Sequence, residues 1–388
     1  MSSTDEMLGA YLDIDLYGTG PIEPVYELTS AAGSTDTQLQ VRGLRDYTNP
    51  NTETEWAAGC DIAICNLGSA YSIVRKTLDS VTPVGDGVLN LSSTLGTTRV
   101  QGALVCLINR NITIRTGSAP AATSYCIRGT SRTVLDSILI YSVTSTASRG
   151  FGLLYGYYTE VKGTCIIYAS SACFLAGYYQ NISERSVLIG STYHGLMTGS
   201  SPHWTITGEA VCCGAERVIS SNSVSLTAYG FEISGDVIIA GVANGVGSVA
   251  GHGIIRGNVR IYGCNTGLNG IEGAELYDVK IYRCTYGLYV VRKARLYNCE
   301  IGVETSNTYD IYASGCEAWG TTLGSSTQVS NYTSYMREDA LYAAFISWDH
   351  NNVKSKYPNA WMPGGDSSTE YILFSYAIRA YRNMSNDI

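Results

Sequence analysis

The sequence predicts an all-β fold, a right-handed parallel β-helix with small N-terminal and C-terminal modules. Three observations lead there. Gly (42) and Tyr (30) are abundant while Pro (8), Phe (5) and charged residues (15%) are scarce, a mixture that suits strands and turns better than surface helices. A short phrase of two alternating apolar positions, a Tyr, a Cys and a Gly-aliphatic pair returns at intervals near 20 residues, within the range of solenoids and arrays. Each unit contains two or three runs of only three to five residues, the size of β-helix strands. A chain of 388 residues would otherwise fill two or three globular domains. An array that grows by adding rungs accommodates that length in one body.

Residues 1–94 hold two charged, turn-rich segments, around Arg42 to Glu55 and Arg75 to Asp86, and no matching phrase. They are expected to form a separate small β or mixed module for attachment or capping. The solenoid is assigned to residues 95–333 and is clearest between Tyr229 and Gly320. There the phrase reads Val259-Arg-Ile-Tyr-Gly-Cys264-Asn-Thr-Gly-Leu268, Val279-Lys-Ile-Tyr-Arg-Cys284-Thr-Tyr-Gly-Leu288 and Ala294-Arg-Leu-Tyr-Asn-Cys299-Glu-Ile-Gly-Val303. The cysteines are 20 and 15 residues apart, and a degenerate copy ends at Cys316, 17 further on.

Upstream, Asp236–Ile239 aligns with Asn258–Ile261 at 22, Gly156–Tyr158 with Gly177–Tyr179 at 21, and Leu139–Tyr141 with Ile166–Tyr168 at 27. Strand alternation turns Val259 and Ile261 inward and Arg260 out to water. Stacked rungs then place Ile on Ile and Cys on Cys, with the thiols forming an interior ladder at a corner. Right-handedness follows from the general preference of parallel crossovers. Residues 334–388 begin with the helix-compatible run from Tyr335 and lead to Trp348, Trp361 and a Tyr-rich tail, read as a capping or oligomerisation module.

A formal charge of -8 and scattered Lys and Arg argue against a nucleic-acid surface. No export signal and no apolar run approaching about 18 residues is recognisable, so membrane insertion is not expected. The 12 cysteines are read as reduced and buried. No CxxC pair occurs, Cys212 and Cys213 are adjacent, and His194, His203, His252 and His350 lack metal-binding spacing, so no metal and no cofactor are expected. The Gly-rich run Ala240–Gly253 lacks the ending of a phosphate loop and is read as a loop between rungs.

Glycoside hydrolysis on such a scaffold would need paired carboxylates on adjacent rungs. The candidates are Glu272, Glu275, Asp278 and Glu300, with Glu304, Glu209 and Glu216 behind them. Their alternative reading is outward, solvated positions between apolar ones. Arg283 and Arg292, with Arg295, could bind an acidic glycan or simply face water. Tyr262, Tyr282, Tyr297 and Tyr312 recur at the same place in the phrase and are expected to form one outward column, exposed as a subunit contact or a glycan groove.

The repeated pattern resembles the right-handed β-helix superfamily, which includes pectate-lyase-like enzymes, polysaccharide hydrolases, autotransporter passengers and trimeric phage tailspikes and fibres. The resemblance spans residues 95–333 and is one of architecture. With a head module, a central solenoid and a distinct C-terminal piece, the organisation is most similar to a phage virion protein, and Gly85-Asp-Gly-Val88 resembles the short phrase with which tailspikes enter the helix. The resemblance implies a homotrimeric structural protein of the virion, assembled in the host cytoplasm and contacting other virion proteins or host-surface glycans. The alternative is a polysaccharide-degrading tailspike or a pectate-lyase-like enzyme.

Overall fold

The computed structural model describes residues 23–335 apart from several inter-strand segments, the longest being 46–55, 221–229 and 116–123. The expected C-terminal module therefore lies outside the described residues. Strands are the only regular elements described, and no helix is long and apolar enough to cross a membrane.

The described residues begin with a closed antiparallel barrel of six strands: Val25–Leu28, Gln38–Gly43, Asp61–Cys65, Ile73–Thr82, Val88–Leu91 and Leu104–Ile108. Its last strand lies beyond residue 94, and Val88 opens a barrel strand rather than the solenoid. The parallel β-helix starts at Thr113 and stacks three parallel sheets of ten, nine and ten strands. One rung shows the plan. Arg260–Tyr262 belongs to the first sheet, Thr266–Asn269 to the second and Glu275–Tyr277 to the third, and Lys280–Tyr282 returns to the first. These are called below the covered, glycine and aromatic sheets, for what each displays.

Parallel pairing sets the interior. In the covered sheet Ile239, Ile261, Ile281 and Ile301 lie opposite one another on successive rungs, all fully buried. The last three each meet a glycine of the neighbouring sheet. A methyl added at Gly245, Gly267 or Gly287 would lie 2.9, 2.6 or 2.8 Å from Cγ2 of Ile261, Ile281 or Ile301, and within 2.6 Å of a backbone carbonyl oxygen on the next rung. The recurring Gly-aliphatic pair is therefore a steric requirement, since these carbonyls are held by the sheet and cannot move aside. It also corrects the reading of Ala240–Gly253 as a loop, because Asn244–Gly247 is a strand of the glycine sheet.

The upstream alignments hold, with Leu139 opposite Ile166, Tyr157 opposite Tyr178 and Ile239 opposite Ile261. The 15-residue interval between Cys284 and Cys299 does not mark a rung. Cys264 and Cys284 follow strands of the covered sheet, Cys299 follows the aromatic-sheet strand Arg292–Tyr297, and Cys316 lies within Gly315–Trp319. The phrase describes a corner. In each copy the residue between Tyr and Cys is left-handed: Gly263 at φ 59°, Arg283 at 54° and Asn298 at 53°. One such residue turns the chain into the next sheet, and two of the three corners share the same local sequence.

The outward face of the covered sheet is equally ordered. Leu139, Ile166, Val187, Val211 and Ile238 stack outward on successive rungs, and then the column switches to Arg260, Lys280 and Glu300. The apolar part is buried in one core with the barrel's Ile62, Ile64, Val105 and Leu107. Arg45, 8% exposed, fastens the two by donating to Asp236 Oδ2 at 2.9 Å and to the carbonyls of Glu209 and Asp236 at 2.6 and 2.8 Å. The backbone amide of Gly68 donates to the Gly263 carbonyl at 2.6 Å.

Gly267→Ala should destabilise the fold by about 1–3 kcal/mol, the usual cost of overfilling a close-packed interior. Urea unfolding followed by circular dichroism measures this. Gly315→Ala, where a methyl meets nothing within 4 Å, is the neutral comparison.

Candidate functional site

The four tyrosines expected in one column are distributed over three sheets. Tyr262 and Tyr282 do stack, with ring centroids 5.1 Å apart, but under the barrel; Tyr262 is only 5% exposed. Strand alternation turns Tyr262 outward, as expected, yet the chain's own N-terminal module occupies that side. Tyr297 stacks between Tyr277 and Trp319 on the aromatic sheet, at 4.7 and 4.8 Å. Tyr312 stacks on Tyr289 at 5.4 Å on the glycine sheet, beside Tyr286 and Tyr309.

The acids are separated in the same way. Glu275 lies in the aromatic sheet, opposite Arg295 one rung on, and bonds it at 3.4 Å. Glu275 Oε2 also accepts the Tyr277 hydroxyl at 2.8 Å. Glu272 pairs with Lys293 at 3.0 Å. Glu300 belongs to the covered sheet and shares Lys280 with Glu304, at 3.2 and 3.1 Å. Upstream, Glu209 pairs with Arg185 at 2.6 Å, while Glu216 lies outside the described residues. Opposite charges thus face one another across rungs, as favourable cross-strand pairs do.

Among the basic candidates, Arg283 is taken up by the barrel, donating from Nη1 to the Gln101 carbonyl at 2.8 Å. Arg292 is exposed, and its backbone bridges to Glu272. His203 opens the strand His203–Ile206; the other three histidines fall outside the described residues.

What these elements do build is an open groove on the aromatic sheet, about 670 Å³, lined by Ser234, Gly235, Ile254, Arg256, Gly257, Glu275, Tyr277 and Asp278. Two of the predicted acids, Glu275 and Asp278, meet there, and Asp278 turns the corner at φ 58°. The aromatic column ends at this point. Trp319, Tyr297 and Tyr277 stack in turn, and the next position in register is Arg256, which is held by Glu232 at 2.7 Å. The groove therefore offers an aromatic ring at the end of its stack, an arginine and two carboxylates along one rung step. Burial of the ring and its bond to Glu275 raise the Tyr277 hydroxyl to about 12, which keeps it protonated as a donor.

A second cluster was hidden from sequence spacing. Cys65 and Cys106 of the barrel meet Cys213 of the covered sheet, with all three sulfurs within 4.8 Å of one another and fully buried. Cys213 donates to Cys65 at 3.4 Å and lies 3.6 Å from Cys106. The bonds from Cys106 and Cys213, with the nearby charge of Arg99, lower the Cys65 thiol against the opposing effect of burial.

No protein-family model matches the chain, and no curated protein is significantly similar to it in sequence. The fold by itself defines a parallel β-solenoid with an antiparallel barrel docked on one sheet.

Burial raises Cys165, Cys212 and Cys299 from 9 to about 12. Such thiols stay protonated in the folded chain but ionise near pH 9 once unfolded. Their stabilisation is complete below pH 9 and is lost as pH rises towards 12, by roughly 1 kcal/mol per thiol at pH 10. Urea midpoints should fall steadily between pH 8.5 and 10.5. Among the described cysteines, the partly buried Cys60 and Cys126 should react first with a thiol reagent at pH 8.

Proposed function

We propose that this chain is a non-enzymatic structural protein of a phage particle whose β-helix presents a glycan-binding groove. The observation that carries the binding reading is the end of the Tyr277 stack beside Arg256, Glu275 and Asp278 in an open groove. Aromatic rings take the apolar face of a sugar while flanking charges accept and donate to its hydroxyls. Basic partners of Glu275 in the next rung and Glu300 on a different sheet favour binding over an acid and base pair acting together. The virion assignment, the homotrimer and contacts with other virion proteins rest on the resemblance of organisation. The four tyrosines form no single exposed strip, since Tyr262 and Tyr282 lie under the barrel and Tyr297 and Tyr312 on the other two sheets, so they lend the trimer no support.

The rival is a polysaccharide-degrading tailspike, and what favours it is the meeting of Glu275 and Asp278 in one groove. One set of variants separates the two. Tyr277→Ala should weaken binding to a surface polysaccharide about tenfold, or about 1.4 kcal/mol, in calorimetry, with Tyr289→Ala on the glycine sheet unchanged. Release of reducing ends or unsaturated sugars by the wild type, abolished in Glu275→Gln, would establish the enzyme instead. A solution mass three times that of the chain, by light scattering, is the outcome expected of the virion reading.

A further inference from the structure

The three buried sulfurs at the junction of barrel and solenoid have no part in the groove. We propose that Cys65, Cys106 and Cys213 form a binding site for one thiophilic metal ion, copper(I) or zinc(II), that clamps the barrel onto the β-helix.

The geometry is close to what such an ion requires. Three thiolates about 2.3 Å from one metal lie roughly 3.8–4.0 Å apart. Here two separations are 3.4 and 3.6 Å and the third is within 4.8 Å, so small side-chain rotations complete the site. The donor set is sulfur alone: among the described residues no His, Asp or Glu joins the group. Three sulfurs satisfy copper(I), and zinc would need one water to complete its four ligands; both are selected over harder ions by such a site.

The second observation is Arg99. It is 2% exposed, and its Nε and one terminal nitrogen are buried without a hydrogen-bond partner. It lies close enough to Cys65 for each charge to act on the other. A buried guanidinium with unused donors is costly unless a negative charge stands near it. Three thiolates around a divalent ion carry one net negative charge, which Arg99 offsets. Copper(I) with two thiolates and one thiol carries the same charge. Each thiolate formed releases its proton to solvent on binding.

The site also spans parts of the chain that are far apart in sequence, 148 residues between Cys65 and Cys213. Two ligands come from adjacent barrel strands and the third from the outward face of the solenoid. An ion held there would be taken up as the barrel docks, and its binding energy would add to the docked state.

The test uses the full chain, produced with copper or with zinc supplied and purified anaerobically with reductant. After exposure to a competing chelator, elemental analysis and native mass spectrometry should find one metal ion per chain in at least one of the two preparations. X-ray absorption of that preparation should give three sulfur neighbours at about 2.3 Å. Cys213→Ala and Cys65→Ala should lose the ion, while Cys284→Ala, in the solenoid interior, keeps it. The loaded wild type should melt at a higher temperature than the unloaded chain, and Cys213→Ala should show no such difference. Loss of both metals to the chelator means an adventitious ion only and overturns the site. Retention in Cys213→Ala equal to the wild type does the same. Should the variants fail to fold, the sulfur count in the wild type decides: nitrogen or oxygen neighbours in place of three sulfurs refute the proposal.

Discussion

Parallel pairing of each rung with the next is the interaction on which the rest of this molecule depends. It lays every side chain over the residue at the same position about one turn earlier, so the interior and the surface are both made of columns. Inside, Ile261, Ile281 and Ile301 reach across to Gly245, Gly267 and Gly287, and the close approach leaves no room for a β-carbon. Outside, the same register stacks Tyr277 on Tyr297 on Trp319 and sets Glu275 against Arg295. A column is favourable only if its members tolerate like neighbours or alternate in charge, and this chain uses both solutions.

The barrel settles which columns meet water. Along the covered sheet one outward column is aliphatic from Leu139 to Ile238, within the core shared with the barrel, and charged from Arg260 to Glu300, while Tyr262 and Tyr282 of the neighbouring column stay packed under the barrel. Arg45 and Arg283 from opposite partners tie this junction by bonds to backbone carbonyls, which fix position more firmly than contacts between long side chains. Burial of most of that sheet face leaves mainly the glycine and aromatic sheets to carry any interaction with other molecules.

Much of the architecture was legible in the residues and part of the site was not, for a common reason. Spacings near 20 residues reported the true register because they link the same sheet on successive rungs, as from Ile261 to Ile281. The 15-residue spacing misled because Tyr-Arg-Cys at 282–284 and Tyr-Asn-Cys at 297–299 encode the same local event, a strand ending in a left-handed residue, on two different sheets. That confusion merged three aromatic columns into one. The covered face had a signal that could have been used: Leu139-Ile-Tyr, Ile166-Ile-Tyr and Val187-Leu-Ile are apolar at consecutive positions, the mark of a strand buried on both faces. The cysteine triad had none, since its members come together only through the docking of two modules.

The stacked rings also bear on how a glycan could be held. Within a column at 4.7–4.8 Å, each ring face is already occupied by its neighbour, so Tyr297 presents mainly its edge and serves as a brace between rungs. A sugar face can stack only where a column stops. Tyr277 is such a place, and the next position towards the N-terminus carries Arg256 in place of a further ring. The count of tyrosines therefore says little about binding capacity, because among the described residues stacking takes up the faces of many of them. What distinguishes a binding aromatic from a structural one in a solenoid is the break in its column, and here that break coincides with the groove where Glu275 and Asp278 also converge.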